Sequence, residues 1–308
     1  MDNEKKVAYK ANIDNIPEPL YLALTNDTYV KVGDYSVSEL IGPPQPAQLI
    51  KRHKDKLVLD PYDRIKSLMG TGIHSVINSY TNDATHLAEN RFSVTVDKLV
   101  ITGQPDVFSI DDNILYDYKT TSTWISAIGR KDEWECQLNC YAWMLRQNDF
   151  KVDKAIIAAI YTDWSKTKKA LSVLKKSHYP ENPVELFEVP LWEDFQVEHY
   201  LSARIREHER AKSLADNDLP ECSKEDRWRK DTWAITTPNA ARATRVFDSL
   251  EEAREALPNY KGKDYYIEER EGQPTKCKFY CDAAPFCQQL RRESIGKELD
   301  PAYYGDTR

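Results

Sequence analysis

The stretch TGQPDVFSIDDNILYDYKTT, residues 102 to 121, decides the fold because it sets charged side chains at fixed points beside two apolar runs. Asp117 and Lys119 lie two residues apart in the β-favouring run ILYDYKT, so on a strand both side chains point to the same face. Asp106 follows the preceding apolar run, KLVIT, and the turn signal Asp111-Asp112-Asn113 separates the two runs. The two runs are therefore predicted to form a hairpin that brings Asp106 and Asp117 together.

The chemistry of these side chains suits a divalent cation. Carboxylates on rigid strands are the oxygen ligands that Mg²⁺ prefers, and Mg²⁺ typically takes only one or two of them from the protein. The metal would polarise a phosphate and acidify a water, while Lys119 would orient that water or offset charge at phosphorus. The residues thus predict phosphodiester hydrolysis. An exposed salt bridge on a sheet face is the alternative for an isolated Asp-x-Lys, since short patterns often match by chance.

These residues resemble the motifs of the PD-(D/E)XK nuclease superfamily, in particular its RecB-type branch. Pro105-Asp106 resembles the first half of the signature, and Asp117-Tyr118-Lys119 resembles the second half. The resemblance implies that Asp106, Asp117 and Lys119 are catalytic. It implies that Asp106, Asp117 and the backbone carbonyl of Tyr118 bind Mg²⁺ or Mn²⁺. It also implies an α/β fold with a mixed central sheet flanked by helices, the restriction-endonuclease-like core.

Further motifs of that branch occur in the expected order. LMGTGIHSVINSY, residues 68 to 80, resembles the segment whose histidine, here His74, helps to bind the metal. A histidine on an apolar helix face is otherwise more often a buried structural residue. QLNCYAW resembles the Gln-x-x-x-Tyr motif, which puts Gln137 and Tyr141 on one helical face and implies that they hold the substrate backbone. Glu89 resembles a glutamate that reaches the metal directly or through water.

Three tryptophans, Trp124, Trp134 and Trp143, flank these motifs in the sequence. Aromatic rings of this kind stack on splayed bases in channels that bind single strands. Core packing is the expected role for most of the three.

A second informative stretch is KCKFYCDAAPFCQQ, which carries Cys277, Cys281 and Cys287, with Cys222 upstream in LPECSKEDRW. In a reducing compartment, clustered cysteines bind metal or act in redox chemistry more often than they form disulfides. Four thiolates make a complete site, and thiolate-only ligation suits Zn²⁺ or an iron-sulfur cluster. The spacing is looser than the Cys-x-x-Cys of structural zinc, which disfavours zinc slightly.

This cysteine pattern resembles the closing triplet of the iron-sulfur nucleases in the same branch, such as the CRISPR-associated and phage-type exonucleases. The resemblance implies a [4Fe-4S] cluster on the four cysteines just named, with Zn²⁺ as the alternative and a metal-free site left open. Those enzymes usually carry their first cysteine before the nuclease core, so here the fourth ligand must be Cys222 or a core cysteine. Cys136 and Cys140, at i,i+4 spacing, are expected to be small core hydrophobes.

Length and composition bound the class of protein. The chain has 308 residues, of which 41% are hydrophobic and 30% charged, which is typical of a soluble globular protein. No apolar run approaches the roughly 20 residues of a membrane helix, and the start MDNEKKVAYK lacks the apolar segment of a secretory signal. We therefore expect an intracellular, cytoplasmic protein, bacterial or viral in a host cell, without a membrane partner.

The net charge of −7 does not favour DNA binding over the whole surface, because affinity for a phosphate backbone comes largely from lysines and arginines. A local basic surface is needed. The best candidate is SKTKKALSVLKK, residues 165 to 176, a connection with five lysines between apolar strand-like runs. RIREHERAK on the following helix is a second candidate, although such mixed charge more often forms a solvated face.

The pattern along the chain predicts four regions. They are an N-terminal arm over residues 1–35, a nuclease core over 36–190, a connecting helix over 191–220 and a cysteine-rich metal-binding subdomain over 221–308. Within the core the predicted order is helix, three strands, helix, strand. The elements after the His74 helix are strands near 92–97, 98–103 and 114–119, a helix over 131–147 and a buried strand in DKAIIAAIYTDW. The last region has little core of its own, so a metal would stabilise it.

The resemblance implies a metal-dependent DNA nuclease, and exonuclease action on DNA ends in recombination, repair or viral genome processing. DNA is then the substrate, and a single-strand annealing or other recombination protein is an implied partner. The acidic charge balance favours an alternative, a catalytically inactive DNA-binding or assembly factor that keeps the fold and a structural metal. A redox or metal sensor centred on the cysteines is a third interpretation, but it leaves the hairpin motif unexplained.

Overall fold

The computed structural model describes residues 7–12, 15–26 and 30–294. Parts of the predicted N-terminal arm and the last part of the predicted cysteine-rich region lie outside these residues. The chain divides into two compact units, and each consists of two separate segments of the sequence. The first unit is Met1–Gly42 with Asp55–Ser213, and the second is Pro43–Lys54 with Leu214–Arg308. None of the described helices combines the length and apolarity that a membrane span requires.

Strands and helices alternate along the first unit. Its strands are β1 (Ala8–Tyr9), β2 (Tyr35–Ser36), β3 (Val58–Leu59), β4 (His86–Ala88), β5 (Phe92–Val96), β6 (Leu99–Gly103), β7 (Val107–Ser109), β8 (Ile114–Thr121), β9 (Lys154–Tyr161) and β10 (Val184–Val189). The helices up to residue 213 are α1 (Glu18–Thr25), α2 (Val37–Ile41), α3 (Pro44–Arg52), α4 (Ile65–Asn78), α5 (Ile125–Ile128), α6 (Asp132–Gln147), α7 (Lys166–Lys175) and α8 (Asp194–Ser213). Of these helices, α3 belongs to the second unit.

The central sheet of the first unit is mixed, with the strand order β10-β9-β8-β7-β4. Strands β8 and β9 run parallel, whereas the other neighbouring pairs run antiparallel. The apolar run of β9 lies between β8 and β10, where both of its faces are covered, as expected of a buried strand. The predicted α/β fold, a mixed sheet flanked by helices, is confirmed.

Helix α6 forms the main packing layer against this sheet. All eight residues from Leu138 to Leu145 are buried, and all of them except Asn139 join Phe108, Leu115 and Ile157 in one apolar core. Acidic residues occupy the first turn of α6, where they interact favourably with the positive end of the helix dipole. Cys140 is fully buried in this core and Cys136 is partly buried. Helix α6 therefore buries the face of the central sheet on which it packs.

The strand that pairs with β8 is not the predicted one. The run KLVIT forms β6, which pairs with β2 and β5 in a separate sheet. The antiparallel partner of β8 is the short strand β7, in which Val107 pairs with Tyr116. The break before β7 has a local cause, because Pro105 has no N–H to donate to a sheet ladder. The register of β7 and β8 still sets Asp106 across from Asp117.

The turn between β7 and β8 is confirmed where the sequence predicted it. The Ser109 hydroxyl donates a hydrogen bond to Asp112 Oδ2 at 2.8 Å, and Asn113 has a φ of 56°. Asparagine adopts this left-handed conformation more readily than most residues. The basic stretch predicted to be a connection is instead helix α7, because Ser165 caps its start and Lys, Ala and Leu favour helix.

The second unit contains a small antiparallel sheet and the cysteine segment. Its further elements are β11 (Thr232–Thr236), β12 (Arg245–Phe247), β13 (Tyr266–Arg270), α9 (Leu250–Ala256), α10 (Thr275–Phe279) and α11 (Gln288–Ser294). The strand order is β12-β11-β13. Ile235, Phe247 and Ala253 form its apolar cluster. Ser249 caps the start of α9, since its hydroxyl accepts from the Glu252 N–H at 3.1 Å.

Candidate active site

Two carboxylates stand beside each other on the hairpin of β7 and β8. The Asp106 carboxylate accepts a hydrogen bond from the backbone N–H of Tyr118 at 2.7 Å, which holds it against β8. Asp117 is only 2% exposed. The hairpin thus brings both predicted metal-binding carboxylates into one site.

Lys119 shares the face of β8 that carries Asp117, as its spacing predicted. Its Nζ lies 2.8 Å from Asp117 Oδ2. The same ammonium donates a hydrogen bond to Gln137 Oε1 at 2.8 Å. Lys119 is therefore held between the acidic strand and the helix that covers it.

Gln137 and Tyr141 lie on one face of α6, as their i,i+4 spacing predicted. The Gln137 amide donates to the Tyr141 hydroxyl at 3.0 Å while its oxygen accepts from Lys119. Tyr141 is 6% exposed, so its hydroxyl supports Gln137 from inside the protein. The three side chains form one hydrogen-bonded chain that ends at the acidic pair. The predicted contact of Gln137 and Tyr141 with the substrate backbone stays a prediction.

His74 reaches the site from α4, on the other face of β8. Its Nε2 lies 2.9 Å from the Tyr118 carbonyl oxygen, and its Nδ1 lies 3.4 Å from Asp106 Oδ1. Because a carbonyl only accepts, Nε2 carries a proton. The hydrogen bond to Asp106 raises the pKa of His74 above its ordinary value, although burial opposes the increase. Helix α4 comes close to β8 through Gly70, where an added Cβ would lie 3.4 Å from Thr120 Oγ1.

Glu89 contributes its backbone to the same region. Its N–H donates to the Asp106 carbonyl oxygen at 2.9 Å, and its φ is 51°. The side chain of Glu89 is exposed to solvent. The structure therefore ties the position of Glu89 to that of Asp106, and a role for its carboxylate stays a prediction.

The electrostatics of Asp117 are unusual for a carboxylate. Burial raises its pKa to about 6, against the lowering effect of the Lys119 ammonium and with a further increase from Asp106. Its Oδ2 forms an ion pair with the Lys119 ammonium at 2.8 Å.

The donor set fits a hard divalent cation. Such a cation binds carboxylate and carbonyl oxygens, and the buried Oδ2 of Asp117 beside a second carboxylate is a site that it would satisfy. Within the described ranges, no three His, Cys, Asp or Glu side chains are arranged as a formed metal site. Mg²⁺ usually takes one or two carboxylates from a protein and completes its shell with waters and substrate phosphate oxygens.

The four predicted cysteine ligands lie in the second unit, where Cys222 and Cys287 share a hydrogen-bond acceptor and charge on Cys277 and Cys281 affects the pKa of Cys222. The thiols of Cys222 and Cys287 both donate to Gln45 Oε1, at 3.6 and 3.5 Å. The two sulfurs therefore lie near each other, on either side of one amide oxygen. None of the four forms a disulfide. Burial, the Asp226 carboxylate and the charges of the other three cysteines together raise the pKa of Cys222 to about 12. Burial likewise raises the pKa of Cys281 to about 11.

Two buried polar side chains surround this cysteine cluster. Arg227 is 4% exposed, hydrogen-bonds the Cys277 side chain and donates to Glu293 Oε1 at 2.7 Å. Gln45 on α3 is 3% exposed. These cysteines are not arranged as a formed metal site in the part of the chain that the structure describes, so their binding of a metal or cluster stays a prediction.

Two features of these sites escaped sequence reasoning. The contact between Lys119 and Gln137 joins two separate motifs, and a polar residue on the helix after the catalytic strand was its only signal. Gln45 gave no signal at all, because it lies 177 residues from Cys222 in the chain.

Comparison with known proteins identifies one family. The family described as the PD-(D/E)XK nuclease superfamily matches residues 72–288. No curated protein matches the sequence. Among solved structures, the chain is similar to the protein SSO0001, with 15% identity, a TM-score of 0.43, and coverage of 61% of this chain and 83% of that one. It is also similar to a phage-related exonuclease from Haemophilus somnus 129PT, with 12% identity, a TM-score of 0.26, and coverage of 61% and 75%. At these TM-scores neither structure adds to the assignment.

Proposed function

Because the chain belongs to the PD-(D/E)XK nuclease superfamily, we propose that it is a metal-dependent deoxyribonuclease that hydrolyses phosphodiester bonds at DNA ends. The observation that carries the proposal is the convergence of Asp106, Asp117 and Lys119, with the charges of the last two 2.8 Å apart. Two acids and a lysine on one hairpin are the groups that metal-assisted hydrolysis needs. Recombination, repair or viral genome processing would use such an exonuclease, together with a single-strand annealing or other recombination protein.

Asp106, Asp117, the Tyr118 carbonyl and His74 would hold Mg²⁺ or Mn²⁺, and Glu89 would reach the ion directly or through water. When bound, the ion supplies charge that polarises the phosphate and acidifies a water. The burial of Asp117 beside a second carboxylate supports this assignment, because a bound cation would offset the charge of both. His74 contacts Asp106 through Nδ1 and the Tyr118 carbonyl through Nε2, so one of these two contacts would be exchanged for the ion when His74 binds it.

Lys119 would hold the attacking water and offset negative charge that develops at phosphorus. Its position depends on Gln137, whose Oε1 accepts from Nζ at 2.8 Å. Tyr141 in turn holds the Gln137 amide. We propose that Gln137 also contacts the substrate backbone, with the buried Tyr141 acting through it.

Gln137→Leu should lower the rate of DNA cleavage by about 10- to 100-fold, because Lys119 loses the acceptor that orients it. Tyr141→Phe removes one neutral hydrogen bond of about 1 kcal/mol, so a decrease of roughly 5-fold is expected. Single-turnover cleavage rates at saturating metal measure both effects. Gln147→Leu, at the far end of the same helix, is the matched control. Wild-type rates in both site variants would rule out the positioning role.

We propose that the four cysteines of residues 221–308 hold a [4Fe-4S] cluster, with Zn²⁺ as the alternative. The all-thiol set and the absence of a disulfide among the described cysteines support either group. The buried Arg227 beside Cys277 would offset part of the thiolate charge. The metal would stabilise a region whose own apolar cluster is small.

The test of the proposed function uses purified full-length protein and end-labelled DNA. Linear single strands, linear duplexes and covalently closed circles are incubated with Mg²⁺, Mn²⁺ or EDTA. Metal-dependent loss of linear DNA with intact circles is expected of a nuclease that needs ends. Cleaved circles would make the protein an endonuclease. If metal-loaded protein leaves every substrate intact, the inactive DNA-binding factor becomes the better description.

A further inference from the structure

The three tryptophans near the site differ in their exposure. Trp143 is 3% exposed, and Trp134 packs partly buried against the core. Trp124 is 66% exposed. Large aromatic side chains contribute much to stability when they are buried, so the exposed indole of Trp124 contributes little in this way and is available to a ligand.

Trp124 lies at the edge of the sheet where the candidate catalytic strand ends. Only two residues separate it from Thr121, the last residue of β8. It follows Lys119 by five residues, which limits the distance between their Cα atoms to about 18 Å. Because β8 and β9 are parallel, with Thr121 opposite Tyr161, their carboxyl ends share this edge.

The backbone that carries Trp124 is fixed on both sides. The Thr123 N–H donates to Asp163 Oδ1 at 2.7 Å, and its hydroxyl donates to Asp163 Oδ2 at 3.2 Å. Ile125 is 2% exposed and packs with Ala159 and Tyr161 of β9. The exposed indole thus projects from a well-fixed backbone. Little conformational entropy would be lost in ordering this backbone when a ligand binds.

A local basic surface begins at the same edge. Helix α7 starts three residues after Asp163, and residues 165–176 contain five lysines and no acidic residue. Lys169 pairs with Glu181, whereas Lys166, Lys168 and Lys175 are exposed. His178 Nε2 hydrogen-bonds Ser126 Oγ at 3.0 Å, which ties the segment after α7 to α5. In a chain of net charge −7, this concentration of lysine is local and stands out.

We propose that Trp124 and the lysines of α7 form a binding surface for single-stranded DNA. An unpaired base stacks on the indole, and Lys168 and Lys175, which lie on one face of α7, take backbone phosphates, the combination that single-strand-binding proteins use. A base inside a duplex already stacks on its neighbours and cannot cover the ring. The surface therefore favours unpaired strands, and its role in feeding the β7–β8 site rests on the proposed nuclease function.

The test measures binding separately from cleavage. Fluorescence anisotropy of a labelled oligothymidylate of 20 nucleotides is recorded without added Mg²⁺ or Mn²⁺. Trp124→Ala should weaken binding by about 5- to 150-fold, the range for loss of one stacked base, whereas Trp124→Phe should retain most of the affinity. Phe195→Ala on α8 is the matched control, since Phe195 is 69% exposed. A blunt 20-base-pair duplex should bind Trp124→Ala and wild type alike.

The lysines have their own readout. Lys168→Gln with Lys175→Gln should reduce the slope of log affinity against log salt by about 1.4, or about 0.7 for each phosphate contact on a single strand. The control is Lys98→Gln with Lys154→Gln. Lys98 lies in the turn between β5 and β6, and Lys154 opens β9 at the end opposite Tyr161. These two changes should leave the slope unaltered.

The outcomes separate this inference from the proposed function. Equal single-strand affinity in wild type and Trp124→Ala, an equal loss in Phe195→Ala, or no binding by wild type would each overturn the surface. Protein that binds through Trp124 but cleaves nothing with Mn²⁺ supports the surface and contradicts the nuclease. Protein that cleaves while Trp124→Ala binds normally contradicts the surface and supports the nuclease.

Discussion

Lys119→Ala is expected to lower the rate of DNA hydrolysis by about a thousandfold, the loss typical of removing a group that stabilises developing charge or positions a proton. The ammonium lies between Asp117 Oδ2 and Gln137 Oε1, at 2.8 Å from each. A small side chain at this position leaves the attacking water without its donor. Single-turnover release of end label at saturating Mg²⁺ or Mn²⁺ measures the effect.

The control for this substitution is Lys154→Ala. Lys154 is an exposed lysine on β9, and its partner in the parallel register is Ile114, at the start of β8. It therefore reports the loss of a lysine from the same pair of strands, away from the acidic residues. Its cleavage rate should equal that of wild type. Equal rates in wild type and Lys119→Ala would contradict the assignment of Lys119.

A second variant distinguishes lost chemistry from lost folding. Lys119→Ala leaves the buried carboxylate of Asp117 without its ion-pair partner, which can cost stability as well as activity. Asp117→Asn removes that buried charge, so its melting temperature without added metal should be no lower than that of wild type. Its cleavage rate should still fall by about a thousandfold, because a neutral amide is a poor ligand for a hard cation. A folded Asp117→Asn protein with a rate near that of wild type would contradict the metal site.

The fold was predictable where one element carries a strong periodic signal. The helix around Gln137 and the continuous apolar run of β9 were both predicted, because each pattern admits one burial arrangement. The partner of β8 was not predicted. The apolar run of β6 is the stronger strand signal, whereas β7 has only three residues between Asp106 and the turn. A strand this short pairs because the chain on both sides of it positions it.

The candidate site was predictable in its residue types and less so in its contacts. Spacing alone put Asp117 beside Lys119 and Gln137 beside Tyr141, since both pairs lie within a single element. The hydrogen bond from Lys119 to Gln137 depends on how α6 packs on β8, which no local pattern specifies. The exposure of Trp124 is of the same kind. A tryptophan side chain is large and mostly apolar, so it is expected to be buried. Only the packing of the fold shows that Trp143 is buried and Trp124 is exposed.

The second large effect concerns the cysteines. Serine in place of Cys222, Cys277, Cys281 or Cys287 should remove the bound metal and much of the stability of the second unit. Structural zinc contributes an apparent 10–16 kcal/mol in small domains, and the apolar cluster here, around Ile235, is too small to replace such a contribution. Metal and sulfide analysis of anaerobically purified protein, together with limited proteolysis of residues 214–294, measures both effects.

The same measurement decides between the alternatives that the spacing leaves open. Four iron atoms with four sulfides per chain indicate a [4Fe-4S] cluster, and one zinc indicates a structural zinc site. Cys136→Ser is the matched control, because Cys136 lies on α6 in the first unit and contacts Tyr200 rather than the cluster. It should keep full metal content. Two results together would contradict the metal site: wild-type protein without bound metal, and equal protease resistance of the second unit in wild type and in the serine variants. The buried thiols would then be ordinary packing groups.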